Sequence, residues 1–344
     1  MTDRPRLARR SFLAGGTAAL LSAGLPAGAA RPRPLLMPAR DGRISEGAFR
    51  LLAQRVSNWG RWGAADRLGA LNEITPAVRF SAARLIRQGI SVHCGGPIPS
   101  LQQGSGDKSG RIDLRLDRAN DWGAVNDIVE LDVHGHFRLT HLDALGHIFY
   151  RGQHYNGVPF TGFRNGRVEG QGIETARAGI SGRGVFLDLA AAVGKPWLEP
   201  TDRVTPEGLR RAIAATGTRL LPGDILLFNT GFAELQAARG TRWGEEIDTG
   251  GLQVECAEML HAARPALILS DAGFDSFPSE VERVKIPWHV LTIVMMGVRL
   301  VDCGYLQELR QTCRKLARST FFCSIAPVEY TGATSSPVNP VCFF

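Results

Sequence analysis

The sequence predicts a mixed α/β fold built as a single large domain. Of its 344 residues, 44% are hydrophobic and 21% are charged, which is typical of a globular chain that buries a large core. The 40 glycines and 19 prolines favour the many turns of a sheet over a helical bundle. Strand patterns cluster early and alternate with helix patterns later, which indicates a mixed sheet with helices packed against it.

The N-terminus has the layout of an export signal. Arg9 and Arg10 precede Ser-Phe-Leu, and the apolar run Ala14–Leu25 and several small residues follow. This pattern predicts a twin-arginine type signal peptide over residues 1–30, and hence a periplasmic or secreted protein. The alternative is a short membrane anchor, but the run is well below the about 20 residues that span a bilayer. We expect no stable membrane span after signal removal.

Residues 31–45 are rich in Pro and Arg and are predicted to form a linker, and residues 46–344 are predicted to form the domain. Two helices are expected to start at Thr-Pro pairs, with Thr as the N-cap and Pro in the first turn. The expected helices are Glu46–Val56, Thr75 to Gly89, Thr205 to Ala215, Gly251–Ala263 and Gly304–Ala317. The expected strands are Ile90–Cys94, Ile112–Leu116, Ile128–Val133, Arg138–Leu142, Val185–Leu189, Ile225–Asn229, Ala266–Ser270 and Phe321–Ala326.

Charge and cysteine content exclude two classes of site. The formal charge is +7, and removal of residues 1–30 leaves 36 basic against 32 acidic residues, with the arginines scattered singly. No cationic stripe interleaved with aromatic residues is present, so we expect no nucleic-acid partner. The six cysteines form no Cys-x-x-Cys pair, which argues against a zinc knuckle, and we favour buried thiols over disulfides.

Histidine is concentrated in one short segment. Five of the eight histidines lie within 21 residues, namely His134, His136, His141, His147 and His154. On a strand, His141 and Asp143 would point to the same face about 7 Å apart. Both could then reach one divalent ion, or a pair of ions bridged by the carboxylate, and imidazole with carboxylate suits Zn or Mn. His147 follows Gly146, where a turn could bring it back over the metal.

Thr140, His141, Asp143 and His147 match the second half of a His-x-Gly-Thr-His-x-Asp-x-x-x-His signature in order and spacing. In this respect the chain resembles the cyclase/kynurenine formamidase family of metal-dependent hydrolases, which includes isatin hydrolases. Other motifs resemble the family in chain order, namely Arg61–Asn72, Tyr155–Gly157, Gly184–Asp188, Leu221–Asp224, Asn229–Gly231 and Gly332–Val338. The resemblance implies a swivelling β/β/α fold, a homodimer, and one or two divalent ions, Zn or Mn, per chain.

The chain departs from the signature at the first histidine. The family's first histidine lies four residues before His141, where this chain has Phe137, which cannot bind a metal. A one-residue β-bulge between Phe137 and Thr140 would turn the preceding histidines onto the face of His141. We expect His136, or else His134, to replace the missing ligand. The alternative is that both are surface residues.

A second departure lies near the C-terminus. Family members place a His and then a Glu some 12 or 13 residues later at a second metal position. By resemblance these are His289, which matches directly, and Asp302, which is one methylene shorter than Glu. The alternative is that His289 packs beside Trp288, and that Asp302 caps a helix starting near Gly304.

The resemblance favours a hydrolysis reaction. Metal-activated water would cleave a C–N bond of a small amide, formyl-amide or cyclic amide. By the same resemblance, His147 is the catalytic residue that protonates the leaving group. Lactone hydrolysis or cyclisation at the same site is an alternative. A catalytically inactive periplasmic small-molecule or metal-binding protein is another, since two ligand positions are altered. No Gly-x-Ser-x-Gly elbow is present for a serine hydrolase.

Overall fold

The strands of the fold form one large sheet and two small ones. The computed structural model describes residues 43–98, 110–134, 139–163, 165–245 and 248–344. The strands are β1 Ser91–His93, β2 Gly110–Ala119, β3 Trp122–Leu131, β4 His141–Asp143, β5 Ile180–Asp188, β6 Arg203–Val204, β7 Ile225–Asn229, β8 Gly251–Leu252, β9 Leu267–Ser270, β10 Arg299–Asp302, β11 Thr320–Ile325, β12 Ser335–Pro337 and β13 Val341–Phe343.

Nine strands form a mixed sheet in the order β1-β13-β11-β5-β7-β9-β10-β4-β12. The central strands β5, β7, β9 and β10 are parallel, and the flanking strands on both sides are antiparallel. Among the described residues, strands β2 and β3 pair only with each other, and so do β6 and β8. The predicted mixed α/β class is confirmed.

Helices cover the sheet. They are α1 Glu46–Arg55, α2 Pro76–Ala83, α3 Leu189–Ala192, α4 Pro206–Ala215, α5 Phe232–Arg239, α6 Ala257–Ala263, α7 Pro287–His289 and α8 Gln307–Leu316. A buried π-helical segment, Val290–Met296, continues α7. As predicted, Thr75 and Thr205 cap α2 and α4 by accepting a backbone N–H three residues later. No helix in the described ranges combines the length and hydropathy that crossing a membrane requires.

The core lies on both faces of the sheet, and the central strand β7 shows this because it is buried on both faces. Its side chains alternate, so that Leu226 and Phe228 join one apolar cluster and Ile225 and Leu227 join the other. All six cysteine side chains are buried, as expected. Parallel strands covered on both faces read as continuous apolar runs, which is why β7 and β9 were predictable from sequence.

Several predicted elements were wrong in extent. The helix expected over Gly251–Ala263 is instead strand β8, a 3₁₀ turn Val254–Cys256 and helix α6. Its first residues pair with β6, and Glu280 Oε1 accepts the Val254 N–H at 2.8 Å, so tertiary partners override the helical pattern. Helix α2 ends at Ala83 rather than near Gly89.

Other predictions fall outside the described residues. The signal peptide over residues 1–30 and the linker as far as residue 42 lie there. At the end of the linker, the Ile44 N–H donates to Glu280 O, and Ser45 caps α1. Residues 135–138 also lie there, and the last of them is the first residue of the expected strand Arg138–Leu142. Sequence patterns missed β10, β12 and β13, which are short strands of three or four residues.

Gly297 joins the π-helical segment to β10 and tolerates no side chain. Its φ is +67°, and a Cβ there would lie 2.5 Å from the Tyr155 ring. Gly240 has the same backbone conformation, with φ +69°, but open space around it. We expect Gly240→Ala to cost about 1–2 kcal/mol of unfolding free energy, because an L-residue is strained at this φ.

Gly297→Ala should cost about 1–3 kcal/mol more than this control, because the methyl group must displace Tyr155. Urea unfolding followed by circular dichroism measures both values. Equal losses for the two variants would contradict close packing between Gly297 and Tyr155.

Candidate metal centre

The site is built on two adjacent strands of the large sheet. Residues two apart on a strand share a face, so His141 and Asp143 of β4 point the same way. Strand β10 pairs antiparallel with β4, and Asp302 lies directly opposite His141 in the register. Paired residues share a face, so Asp302 joins the other two. Thr140 fixes this arrangement, since its Oγ1 donates to Cys303 O at 2.5 Å.

Four imidazole rings surround the buried carboxylate of Asp143. The Nε2 atoms of His134, His141 and His147 lie 3.4, 3.5 and 3.8 Å from its Oδ1. The Nε2 of His289 lies 3.5 Å from its Oδ2. The His134 and His147 rings are stacked with centroids 4.5 Å apart. Two segments more than 140 residues apart in sequence therefore meet at one carboxylate.

A second carboxylate completes the cluster. Asp302 Oδ2 lies 3.5 Å from His289 Nε2. Asp302 Oδ1 and Asp143 Oδ2 are buried oxygens without a hydrogen bond among the described residues. Buried acceptor oxygens of this kind require a partner. A cation between them would supply it.

The outer nitrogens of two histidines are held by acceptors. His141 Nδ1 lies 2.7 Å from Leu139 O, and His289 Nδ1 lies 2.5 Å from Asp275 Oδ2. A proton on each Nδ1 leaves the Nε2 lone pair facing the carboxylates. Lone pairs and carboxylate oxygens repel each other unless a cation lies between them, and this is the usual outer support of a metal-binding histidine.

Asp275 positions His289 through the backbone as well. Its carboxylate accepts the N–H groups of Trp288 and His289 at 2.7 and 3.1 Å, at the start of α7. Trp288 is itself fixed, since its Nε1 donates to Leu252 O at 2.8 Å. The orientation of His289 is therefore determined by one carboxylate at three points.

The ionisation of the cluster follows from burial and charge. Burial alone would raise the pKa of Asp143, but the four surrounding imidazoles hold that pKa well below its usual value. Burial lowers the pKa of His147 to about 4, with a contribution from repulsion by the other histidines, so His147 is neutral at pH 7. His147 is thus a proton acceptor at neutral pH.

His289 shows that the site demands positive charge. Burial alone would lower the pKa of His289, but the nearby carboxylates of Asp143, Asp275 and Asp302 raise it well above its usual value. Three buried carboxylates around one imidazole favour a cation at this position, which is either a proton or a metal ion.

A cavity of about 200 Å³ opens onto the cluster. Its walls combine the histidines with small and apolar residues on the other side. The lining residues are His134, His141, His147, Gly273, Asp275, Phe277, Ile286, His289, Asp302 and Cys303. This volume suits a small molecule rather than a polymer.

Five of the residues predicted from sequence come together, namely His141, Asp143, His147, His289 and Asp302. The expected ligand His136 lies outside the described residues, as do Phe137 and the expected β-bulge. His134, the second choice, lies in the cluster. Asp302 is not a helix cap, because α8 starts only at Gln307 and its N-cap residue is Leu306.

Sequence reasoning missed the role of Asp275. In the sequence, the residue belongs to an Asp-Ala-Gly-Phe-Asp-Ser segment after a strand, a pattern that is typical of a ligand loop and equally of a plain turn. Its distance of 14 residues from His289 gave no signal, because the contact depends on how the loop returns to α7.

Comparisons with known proteins identify structures with a similar fold. A structure described as a novel cyclase matches with a TM-score of 0.74 and 26% identity, covering 85% of this chain and 99% of that chain. An isatin hydrolase bound to the product analogue thioisatinate matches with a TM-score of 0.50 and 16% identity, covering 73% and 91%. Isatin hydrolase A from Ralstonia solanacearum matches with a TM-score of 0.49 and 20% identity, covering 78% and 96%. No curated protein matches.

The Cyclase family model, described as "Putative cyclase", matches residues 72–275, which is more than half of the chain and includes His134, His141, Asp143 and His147. The nine-stranded mixed sheet and the novel cyclase structure at 26% identity support the same assignment. The chain belongs to the Cyclase family.

Proposed function

We propose that this protein is a metal-dependent hydrolase of small molecules. The observation that carries the proposal is the convergence of four Nε2 atoms on Asp143, whose Oδ2 has no hydrogen bond among the described residues. Imidazole nitrogens with carboxylate oxygens form the donor set that Zn and Mn accept.

The residues that would hold the metal are His134, His141, Asp143, His289 and Asp302. They offer enough donors for one ion or for two ions bridged by a carboxylate. A divalent ion here supplies Lewis acidity and makes water a stronger acid near neutral pH. This chain has Asp302 where the family has Glu, and the shorter side chain still places a carboxylate oxygen in the cluster.

His147 is proposed to move the proton of the reaction. Its Nε2 is close to Asp143, its ring lines the cavity, and its side chain is 20% exposed, so a substrate can reach it. Because its pKa is lowered to about 4, the ring is unprotonated at pH 7 and would be free to accept a proton from the attacking water. Its conjugate acid would be a correspondingly stronger acid and would give that proton to the leaving group.

The bond that we propose for cleavage is the C–N bond of a small amide, formyl-amide or cyclic amide. The cavity volume and the resemblance to the isatin hydrolases support this choice. Hydrolysis of a lactone, or a cyclisation, uses the same groups, and the match to a structure named a cyclase favours it as the second candidate.

Metal content and turnover test the site. We expect one or two equivalents of Zn or Mn per chain in protein purified without added metal, measured by elemental analysis. His141→Ala and Asp143→Ala should lose the metal, because each removes a buried donor. His147→Ala should keep the metal and lose about 10²–10⁴-fold in turnover of a formyl-amide, lactam or lactone.

His93→Ala is the matched control, since the exposed His93 side chain lies outside the cluster and, among the described residues, contacts Glu308 and Gly95 O. It should retain both metal and turnover. Full metal occupancy in the Asp143 variant would refute the ligand assignment. Metal binding by the wild type without turnover of any tested class would favour a periplasmic binding protein.

The support of His289 by Asp275 has its own test. Asp275→Asn removes the charge that orients the ring, so metal affinity should fall about 10–100-fold in chelator competition. Asp271→Asn changes a buried carboxylate of the same loop that instead accepts the N–H groups of Thr230, Gly231 and Phe232. This control should lower stability and leave metal affinity unchanged. Equal affinity in the Asp275 variant and the wild type would contradict the positioning role.

Export through the twin-arginine route remains a proposal that rests on residues 1–30. N-terminal sequencing of protein recovered from the periplasm or medium of a bacterial host should give a mature start close to residue 31. Replacement of Arg9 and Arg10 by Lys should retain the full-length chain in the cytoplasm. Export of this variant at the wild-type level would count against the twin-arginine assignment.

A further inference from the structure

The strands β2 and β3 form a hairpin arm, residues 110–131, that is separate from the large sheet. The two strands pair along their whole length, from Gly110 opposite Leu131 to Ala119 opposite Trp122. Ten residues of strand extend about 30 Å. Within the described ranges, neither strand pairs with any other strand. A two-stranded sheet is only marginally stable in water and needs further strands or packing.

One face of the arm is largely apolar and exposed, with the charged Asp127 opposite Leu114. Ile112, Leu114 and Leu116 are 46%, 67% and 69% exposed. Val125 and Val129, their neighbours on β3, are also exposed. An exposed apolar edge strand of this length is prone to pair with another chain. The arm therefore has the properties of an interaction surface.

The other face of β2 carries alternating charges. Arg111, Asp113, Arg115 and Asp117 occupy successive positions on this face. Arg111 contacts Asp113 and Glu130 of its own chain at 3.2 Å. The pattern is antisymmetric about Leu114. Arg111 and Asp117 lie three residues from it on opposite sides, and Asp113 and Arg115 lie one residue from it on opposite sides. The segment is thus complementary in charge to its own reverse.

We propose that β2 of two copies pair edge to edge and antiparallel, with Leu114 on the twofold axis. Arg111 then lies opposite the partner's Asp117, and Asp113 opposite the partner's Arg115. Ile112 lies opposite the partner's Leu116 on the apolar face. Opposite charges and apolar side chains in directly opposed positions stabilise a sheet, and the contact is isologous as a twofold dimer requires.

The register is determined by the side chains. A slip of one residue places charged side chains opposite apolar ones, because side chains alternate between faces. A slip of two residues places Asp opposite Asp and Arg opposite Arg near the axis, which is repulsive. A slip of four residues keeps opposite charges paired but leaves fewer residues of β2 opposite each other. The register centred on Leu114 therefore gives the most matched pairs on both faces.

The backbone of β2 is compatible with this pairing. In a two-residue hairpin the flanking pair, here Ala119 and Trp122, exchanges both hydrogen bonds. The alternation along the ladder then directs the N–H and C=O groups of Ile112, Leu114 and Leu116 to the outer edge. The proposed register pairs these same residues, so each outward group receives a partner and the two hairpins become a four-stranded sheet.

The proposed pairing of β2 gives the homodimer implied by family resemblance a specific interface, and this interface does not depend on the hydrolase proposal.

Charge reversal tests the interface. Arg115→Asp places Asp opposite the partner's Asp113 at two symmetric positions. The dimer should dissociate about 10–100-fold more readily by sedimentation, because two attractive pairs become repulsive. Asp113→Arg combined with Arg115→Asp should restore wild-type dissociation.

The matched control is Arg118→Asp, which makes the same change of charge on the same strand but lies opposite the partner's Gly110. It should dissociate like the wild type. A monomeric wild type at micromolar concentration, or a dimer that Arg115→Asp leaves unchanged, would overturn the proposal.

Cross-linking tests the register separately. Leu114→Cys faces its own symmetry mate, so oxidised glutathione should convert it to a disulfide-linked dimer while the glutathione is reduced to thiol. Leu116→Cys faces the partner's Ile112 and should cross-link no more than the wild type, whose six cysteines are buried. More efficient cross-linking at residue 116 than at residue 114 would exclude the register centred on Leu114.

Discussion

Burial of the Asp143 carboxylate is the constraint on which the rest of the site depends. The residue lies in β4, between β10 and β12, where water cannot solvate its charge. A buried carboxylate without compensation costs several kcal/mol, so the fold must bring donors or cations to it. Its neighbours come from segments far apart in the chain, His134 on one side and His289 on the other. The carboxylate thus accounts for the presence of so many imidazoles in one place.

The loop that follows β9 uses two further carboxylates to connect the sheet to its surroundings. Asp271 accepts N–H groups at the start of α5, and Asp275, four residues later, accepts those at the start of α7. The loop lies at the carboxyl end of a parallel strand, where α/β proteins place their ligand sites. One loop therefore fixes both the start of α5 and the orientation of His289.

The local part of the site was predictable from the spacing of its residues, whereas the long-range part, His289 and Asp302, was predictable only through the family resemblance. The spacing of His141 and Asp143 determines a shared face on any strand, and the structure shows that face. The choice between His134 and His136 depends on the path of residues 135–138, which alternation on an ideal strand does not describe. The same limit applied to the fold: the patterns of β2 and β3 were recognised, but their separation from the large sheet was not. A pattern specifies which face is apolar and leaves open which partner covers it.

Asp302 shows how sheet register can compensate for a shorter side chain. Resemblance implied a Glu at this position, and the loss of one methylene put its reach in doubt. The register places Asp302 directly opposite His141 on the neighbouring strand, where opposed Cβ atoms lie about 4.5–5.5 Å apart. Asp302 Oδ2 accordingly lies 3.5 Å from His289 Nε2, in a group of side chains that already share one face. Because the backbone of β10 brings the carboxylate to the cluster, a longer side chain is not needed to reach it.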